Sequence, residues 1–230
     1  MTTKTALIIG ASRGLGLGLA REYAGRGWHV MGTVRGTART ALHALADEHP
    51  RKVAIETVDI NQPPAVAALA ERLAGHRFDL LFVNAGVSHD RAETIAATSD
   101  ETFIRLMVTN ALSPMRVVER LESLVPAGGT IGLMSSGLGS VANNETGEWE
   151  VYRASKASLN TLMRSFAARH AGDPRTLLLI APGWVRTDMG GPGALLDVDT
   201  SVRGVVDAIT ARAGKPGLHY LNYQGKTVPW

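Results

Sequence analysis

Short apolar runs alternate with longer amphipathic runs along the chain, and this alternation constrains the fold more than any other feature of the sequence. Most of the apolar runs are nearly continuous, as strands are when both faces of their sheet are covered. The predicted strands are residues 6–9, 29–34, 53–58, 79–83, 130–134, 176–181 and 218–221.

The runs between these strands have the periodicity of helices. We predict helices over residues 14–26, 63–73, 100–124, 150–170 and 199–212. Asn61 and Ser99 are the expected N-caps of the second and third helices. Repeated β-α-β units with right-handed crossovers predict an α/β fold, a doubly wound parallel sheet of about seven strands with helices on both faces. Because no linker or internal repeat interrupts the pattern, we expect residues 1–230 to form a single domain.

Composition excludes several classes of function. The chain has no cysteine, which rules out disulfides, zinc–thiolate sites and cysteine nucleophiles and fits a reducing cytoplasm. The net charge of +3 comes from scattered residues, so we expect no nucleic-acid partner. No apolar window approaches the roughly 18 residues of a membrane span. The seven histidines lack ligand spacing, so we expect no metal site.

A glycine-rich turn follows the first predicted strand directly. The segment reads Gly10-Ala11-Ser12-Arg13-Gly14-Leu15-Gly16 and leads into a helix. Glycines allow a tight turn and a close approach to a diphosphate, and the N–H groups at the helix start favour an anion. The spacing differs from the standard G-x-G-x-x-G fingerprint. An ordinary glycine-rich βα turn remains an alternative for the segment taken alone.

The end of the second predicted strand bears on the choice of dinucleotide. It reads Gly32-Thr33-Val34-Arg35, without the acid that usually holds the ribose 2′-hydroxyl of NAD. Arg35, together with Arg13 from the glycine turn, could bind a 2′-phosphate through charge-assisted hydrogen bonds. Both arginines could instead be solvated surface residues. We expect NADP(H) to be preferred over NAD(H).

Tyr152 and Lys156 are four residues apart, which places them on one face of a predicted helix. An unperturbed tyrosine, with a pKa near 10, is poorly matched to proton transfer at neutral pH. A nearby ammonium favours the phenolate, and Lys156 with a positive nicotinamide ring could lower the pKa of Tyr152. The same spacing is common in surface pairs, so the pair alone does not establish a site.

The motifs together resemble those of the short-chain dehydrogenase/reductase family, whose domain is of the Rossmann type. They occur in the family's order: the glycine turn, Asp59-Ile60, Asn84-Ala85-Gly86, Asn110, Ser135-Ser136, Tyr152-Arg153-Ala154-Ser155-Lys156 and Pro182-Gly183. Within the family the chain is most similar to sniffer-type carbonyl reductases and C-factor proteins. That finer resemblance rests on residues 182–191, the segment from Tyr220 to Gly225, and Pro229-Trp230.

The resemblance implies four catalytic roles. Tyr152 would be the general acid or base, and Lys156 would hold the nicotinamide ribose and lower the tyrosine pKa. Ser136 would bind the substrate oxygen, with Ser135 as a supporting hydroxyl, and Asn110 would hold a water of a proton relay. The implied cofactor-binding residues are Gly10, Ser12, Arg13, Gly14, Leu15, Gly16, Arg35, Asp59, Ile60, Asn84, Ala85, Gly86, Tyr152, Lys156, Pro182, Gly183, Val185 and Thr187.

The implied function is hydride transfer between NADP(H) and a small carbonyl or alcohol substrate. An alternative is an NADP(H)-binding regulator with little or no turnover. Ser136 and Tyr152 are sixteen positions apart, a few more than is typical of the family. The added residues, 143–149, should border the substrate pocket, and Trp149 or Trp184 could line it. Family members often associate through their two long helices, so a homodimer or homotetramer is possible.

Overall fold

Residues 3–230, which the computed structural model describes, contain one sheet of seven parallel strands. The strands are β1 (Thr5–Ile9), β2 (His29–Val34), β3 (Val53–Thr57), β4 (Leu80–Val83), β5 (Thr130–Met134), β6 (Thr176–Ala181) and β7 (Gly217–Asn222). Their order is β3-β2-β1-β4-β5-β6-β7, and all six neighbouring pairs are parallel. The predicted doubly wound α/β fold is confirmed.

Helices cover both faces of the sheet. They are α1 (Gly14–Gly25), α2 (Ala41–Glu48), α3 (Pro63–Arg72), α4 (Asp100–Met107), α5 (Ser113–Leu121), α6 (Glu150–Arg169) and α7 (Val198–Arg212). Successive strand residues face opposite sides, so Leu7 and Ile9 pack with α3, α5 and α6 while Ala6 and Ile8 pack with α1, α2 and α7. The strands therefore read as continuous apolar runs because they contribute to two cores at once.

The structure corrects the long helix predicted over residues 100–124. A π-helical turn, Val108–Leu112, separates α4 from α5, and a short 3₁₀ turn, Glu122–Leu124, follows α5. Pro114 has no N–H to donate to the Asn110 carbonyl, the partner that a regular α-helix would supply. Ser99 does cap α4, because its Oγ accepts a hydrogen bond of 3.1 Å from the Thr102 N–H.

Two further corrections concern short local signals. Helix α2 was not predicted, because it has only two turns and buries only Leu42 and Leu45. The expected cap Asn61 does not cap α3. Gln62 occupies that position without a side-chain hydrogen bond, and the Asn61 amide instead donates to Thr109 Oγ1 at 3.0 Å.

The strand order places a crevice between β1 and β4, where the direction of winding reverses. Ligands of open α/β sheets bind at this point, beyond the carboxyl ends of the strands. The glycine turn follows β1, and Asn84-Ala85-Gly86 follows β4. Within residues 3–230, no helix is long and apolar enough to cross a membrane, and no group of three potential metal ligands is found.

Candidate active site

The glycine turn is built around two positions that admit no side chain. Gly10 has φ +87°, and its N–H donates to Thr33 Oγ1 at 2.9 Å. A Cβ on Gly16 would lie 2.0 Å from the Gly10 carbonyl oxygen and 2.6 Å from Asn84 Nδ2. The Asn84 amide in turn donates to the Gly10 carbonyl at 2.8 Å. The loops after β1 and β4 are thus joined, and the start of α1 lies close to the crevice.

The charged residues that we expect near a bound dinucleotide lie at the rim of the crevice. Arg35 is exposed at the end of β2, and within residues 3–230 its guanidinium forms no ion pair. Arg13 instead pairs with Asp188 at 2.9 Å, with both side chains 78% exposed. Beyond β3, Asp59 accepts a hydrogen bond of 2.9 Å from the Asn61 N–H, and Ile60 is buried. Arg13 therefore connects the glycine turn to the loop after β6.

The segment after β6 folds back on itself beside the glycine turn. Pro182 is buried, and its carbonyl accepts a 2.7 Å hydrogen bond from Ser201. Buried Val185 pairs with Leu196. Thr187 Oγ1 accepts from the Gly190 N–H at 3.1 Å. A Cβ added to Gly14, in the glycine turn, would lie 3.7 Å from the Thr187 methyl group. Residues 182–190 thus form the far wall of the crevice, with Ser12 and Leu15 half-buried opposite.

The four candidate catalytic residues come together from three elements. Tyr152 and Lys156 share one face of α6, and Lys156 Nζ lies 5.8 Å from the centre of the Tyr152 ring. The same ammonium donates to the Met134 carbonyl at 2.8 Å, at the end of β5 where Ser136 follows. A Cβ on Gly86 would lie 3.3 Å from Asn110 Oδ1 and 3.5 Å from Lys156 Nζ. The end of β5, the π-helical turn and α6 therefore meet beside the loop after β4.

Burial dominates the electrostatics of the tyrosine and the lysine. It raises the pKa of Tyr152 to about 12, and the Ser136 hydroxyl beside the phenol opposes this rise. It also lowers the pKa of Lys156 to about 8. Both directions follow from the cost of holding a charge away from water. The lowered tyrosine pKa expected from the sequence is therefore not produced by the protein's own groups.

The Asn110 side chain joins the loop after β4 to helix α6. Its Oδ1 accepts from the Val87 N–H at 2.8 Å, and its Nδ2 donates to the Val87 carbonyl at 2.8 Å and to Ser155 Oγ at 3.0 Å. The amide is thus occupied within the protein. Pro114 has no N–H, so the main-chain carbonyl of Asn110 lacks the donor that it would have in a regular helix. That carbonyl is the atom of Asn110 that could hold a water.

The two adjacent serines have different surroundings. Ser135 is buried and donates to Asn160 Oδ1 at 2.7 Å. Ser136 is half-exposed, its Oγ accepts from the Leu138 N–H at 3.1 Å, and it lies beside Tyr152. Ser136 is therefore the hydroxyl that a substrate at Tyr152 could reach.

An aromatic wall stands on the other side of Tyr152. The ring centres of Trp149 and Tyr152 are 5.9 Å apart, and those of Trp149 and His89 are 6.1 Å apart. Trp149 has φ +56°, and Glu148 before it has φ +43°. The buried Arg153 guanidinium holds this strained turn by donating to the Gly147 carbonyl at 2.6 Å and the Glu148 carbonyl at 2.8 Å. The added loop is therefore fixed against Tyr152.

Trp184 reaches the same wall indirectly. It is 46% exposed, and the Arg91 guanidinium lies 5.8 Å from its ring centre. Arg91 also pairs with Glu148 at 2.6 Å, and its carbonyl accepts from the Trp149 N–H at 3.0 Å. Arg91 thereby connects the loops that carry the two tryptophans.

Comparison with known proteins identifies the family of the chain. A family model described as enoyl-(acyl carrier protein) reductase matches residues 10–214. The chain belongs to the short-chain dehydrogenase/reductase family. A solved member from Burkholderia multivorans with bound NADP is 57% identical, covers all of both chains and has a TM-score of 0.98. The carbonyl reductase Sniffer of D. melanogaster is 28% identical over all of both chains, with a TM-score of 0.88. The C-signal of Myxococcus xanthus is 34% identical over 71% of this chain and 99% of its own.

As a short-chain dehydrogenase/reductase, the chain is an oxidoreductase, and its resemblance to the sniffer and C-factor groups is confirmed. Sequence reasoning did not find the supporting residues His89, Arg91, Asn160 and Tyr220 as parts of the site. Asn160 lies one helical turn beyond Lys156, a spacing that could have suggested a shared face. The others reach the site only through tertiary contacts.

Proposed function

We propose that the chain is an NADP(H)-dependent oxidoreductase that interconverts a carbonyl and an alcohol, with Tyr152 as the general acid or base. The observation that carries the proposal is the meeting of Tyr152, Ser136 and Lys156 beside the crevice of the glycine turn. A phenol and a hydroxyl aimed at one point can bind an oxygen that gains negative charge. Bound NADP(H) would supply or accept the hydride.

The residues of the crevice fit a dinucleotide. Positions 10 and 16 leave the backbone bare where a Cβ would clash, and the start of α1 offers N–H groups to a diphosphate. Arg35 follows a strand end without an acid, as a 2′-phosphate site requires. Arg13 could add a second cation if it exchanged Asp188 for the phosphate. The NADP bound by the Burkholderia multivorans protein supports the same choice here.

The chain's own groups provide the proton in reduction. Ser136 and Tyr152 donate hydrogen bonds to the substrate oxygen, and Tyr152 then transfers its phenolic proton as the C–O π bond opens. One hydride and one proton are thereby added across the carbonyl. The Lys156 ammonium, 5.8 Å from the ring centre, stabilises the phenolate that remains. The Ser136 hydroxyl beside the phenol also favours the phenolate, against the effect of burial, which raises the pKa of Tyr152.

Turnover assays test this proposal. NADPH and NADH oxidation would be followed over a panel of aldehydes, ketones and quinones, with wild type and Tyr152→Phe compared. We expect NADPH-dependent turnover that falls at least a hundredfold in the variant while the Kd for NADPH is unchanged. Turnover retained in Tyr152→Phe would contradict the assigned role.

The cofactor preference has its own matched pair of variants. Arg35→Ala should weaken NADPH binding about tenfold to a hundredfold and leave NADH binding nearly unchanged, because only NADPH carries the 2′-phosphate. Arg39→Ala is the control, since Arg39 is exposed a few residues later and pairs with Asp47. Equal losses for both dinucleotides in Arg35→Ala would contradict the proposed contact.

A second candidate function is that of an NADP(H)-binding regulator. The observation that favours it is the similarity of the chain to the relative named C-signal. In this reading, occupancy by NADP(H) rather than turnover would carry the function. The convergence of Tyr152, Ser136 and Lys156 favours chemistry, because binding alone does not need a buried lysine beside a phenol. NADPH binding without turnover across the whole panel would favour the regulator.

We further propose that the chain associates with copies of itself. Phe103 on α4, Leu112 on the π-helical turn and Leu162 on α6 are all more than a third exposed. These helices correspond to the two long helices through which relatives were expected to pair. Light scattering should give a mass of two or four chains, and Leu162→Glu should reduce it. A monomer at high concentration would refute the proposal.

Two further proposals concern the number of domains and the cellular compartment. We propose that residues 1–230 form one domain, since one sheet and its two cores involve residues from Ala6 to Val228. A single cooperative unfolding transition is the expected result. The lack of cysteine keeps a reducing cytoplasm as the proposed compartment.

A further inference from the structure

The segment that carries Ser136 is held by buried polar groups outside the catalytic set. Asn160 accepts from Ser135 Oγ at 2.7 Å and donates from its amide to the Gly139 carbonyl at 3.1 Å. The Tyr220 hydroxyl donates to the Ser136 carbonyl itself. Tyr220 is 1% exposed and Asn160 is 4% exposed. Asn160 on α6 thus contacts the Ser135 hydroxyl before Ser136 and the Gly139 backbone after it, while Tyr220 on β7 contacts the backbone of Ser136 itself.

Trp230 extends this support. Its ring centre lies 5.3 Å from that of Tyr220, and the Arg164 guanidinium lies 4.5 Å from the Trp230 ring centre. The Trp230 carbonyl accepts from the Ala142 N–H at 3.1 Å and from Ser140 Oγ at 3.3 Å. The end of the serine segment is therefore fixed to the same aromatic pair.

The Tyr220 hydroxyl binds the chain just beyond the last backbone hydrogen bond of the sheet. The β5–β6 register ends at Met134 and Ile180, and the last backbone bond runs from the Ser135 N–H to the Ile180 carbonyl. Ser136 lies beyond this ladder. Strand β7 is already held to β6 by six paired positions, and a phenylalanine ring would fill the same apolar space. The hydroxyl therefore adds more to the placement of Ser136 than to the fold.

We propose that Tyr220 is a positioning residue that fixes the Ser136 backbone so that its hydroxyl faces the substrate oxygen beside Tyr152. The proposal rests on the proposed function, in which Ser136 binds that oxygen. Asn160 and Trp230 hold successive parts of the same segment, at residues 135 and 139 and at residues 140 and 142 respectively. A hydroxyl donor that is misplaced by a fraction of an ångström stabilises the developing charge less well.

The chain offers a matched control for removing this hydroxyl. Tyr23 is also 1% exposed, but within the described residues its hydroxyl has no hydrogen-bond partner. Tyr220→Phe should lower kcat about tenfold and leave the Kd for NADPH unchanged. Tyr23→Phe should match the wild type in both. Because the Ser136 hydroxyl opposes the raised pKa of Tyr152, the alkaline limb of the kcat profile should move to higher pH in Tyr220→Phe only.

A double-mutant cycle separates positioning from general destabilisation. If Tyr220 acts through Ser136, adding Tyr220→Phe to Ser136→Ala should change kcat less than twofold. A further tenfold loss in the Ser136→Ala background would overturn the proposal, because the hydroxyl would then be acting elsewhere. A wild-type kcat and pH profile in Tyr220→Phe would overturn it as well.

A readout without turnover keeps the two proposals distinguishable. Hydrogen–deuterium exchange of residues 136–142 should be faster in Tyr220→Phe than in Tyr23→Phe or wild type. Equal exchange in all three proteins would refute the positioning role, whether or not a substrate is found. Failure of the proposed function would show separately, as turnover that survives in Tyr152→Phe.

Discussion

The structure leaves no room for the methyl group that Gly16→Ala would add. The new methyl carbon would lie 2.0 Å from the Gly10 carbonyl oxygen and 2.6 Å from Asn84 Nδ2, whereas real contacts begin near 3.0 Å. The glycine turn must therefore move by about 1 Å. Overpacking of this kind costs about 1–3 kcal/mol. Loss of the Asn84–Gly10 hydrogen bond adds about 0.5–1.5 kcal/mol. Alanine's better helix propensity returns up to about 1 kcal/mol.

At the midpoints of these ranges the net destabilisation is about 2.5 kcal/mol, which lowers Tm by about 5–10 °C for a domain of this size. Because the moved backbone also faces the proposed diphosphate site, the Kd for NADPH should rise at least tenfold. Calorimetry and fluorescence titration measure the two quantities.

Gly25→Ala is the control, in the same helix. Nothing lies within 4 Å of a Cβ at that position, so the free energy of unfolding should rise by about 0.5 kcal/mol. If Gly16→Ala matched Gly25→Ala in Tm and in NADPH affinity, the reasoning from close approach would be refuted.

Three other substitutions test separate features. Lys156→Met should abolish turnover yet raise the free energy of unfolding at pH 7 by about 1–3 kcal/mol. Burial lowers the pKa of Lys156 from 10.5 to about 8, so wild-type stability rises as pH increases through this interval, and urea unfolding near pH 10.5 should show little remaining gain. Ser99→Ala should cost about 1 kcal/mol by removing the α4 cap, with kcat unchanged; an unchanged Tm would contradict this. Arg153→Met should lower the free energy of unfolding by about 2–3 kcal/mol, because it frees the turn before Trp149. It should also raise KM for the carbonyl more than it lowers kcat. An unchanged KM would argue against that turn as part of the substrate wall.

The sequence predicted the central strands β4, β5 and β6 because they are buried on both faces and form continuous apolar runs. Helices α1, α3, α6 and α7 were likewise predicted to within two residues at each end. Helix α2 was missed because two turns give too short a periodic signal. The break before α5 depends on Pro114, whose effect falls on the carbonyl four residues earlier rather than on its own position.

The candidate site was predictable where motifs follow strand ends, as Gly10, Asn84 and Ser136 do. Its supports were not, because the contact between Tyr220 and Ser136 joins residues 84 positions apart. The direction of the Tyr152 pKa depends on burial, which spacing to Lys156 cannot reveal. Arg13, expected at a phosphate, pairs with Asp188 across the crevice.

The contact of β7 and Trp230 with the serine segment has a consequence for synthesis on the ribosome. The glycine turn and the loops that join it are complete once β4 has emerged, before half of the chain has been made. The carbonyl of Ser136 acquires its hydroxyl donor, and Ala142 its acceptor, only with residues 220 and 230. Because chains fold progressively from the N-terminus during translation, the nascent protein should join its β1 and β4 loops well before residues 182–190 complete the crevice and before Ser136 can be oriented. The orientation of Ser136 would then be fixed only after β7 and Trp230 have been made.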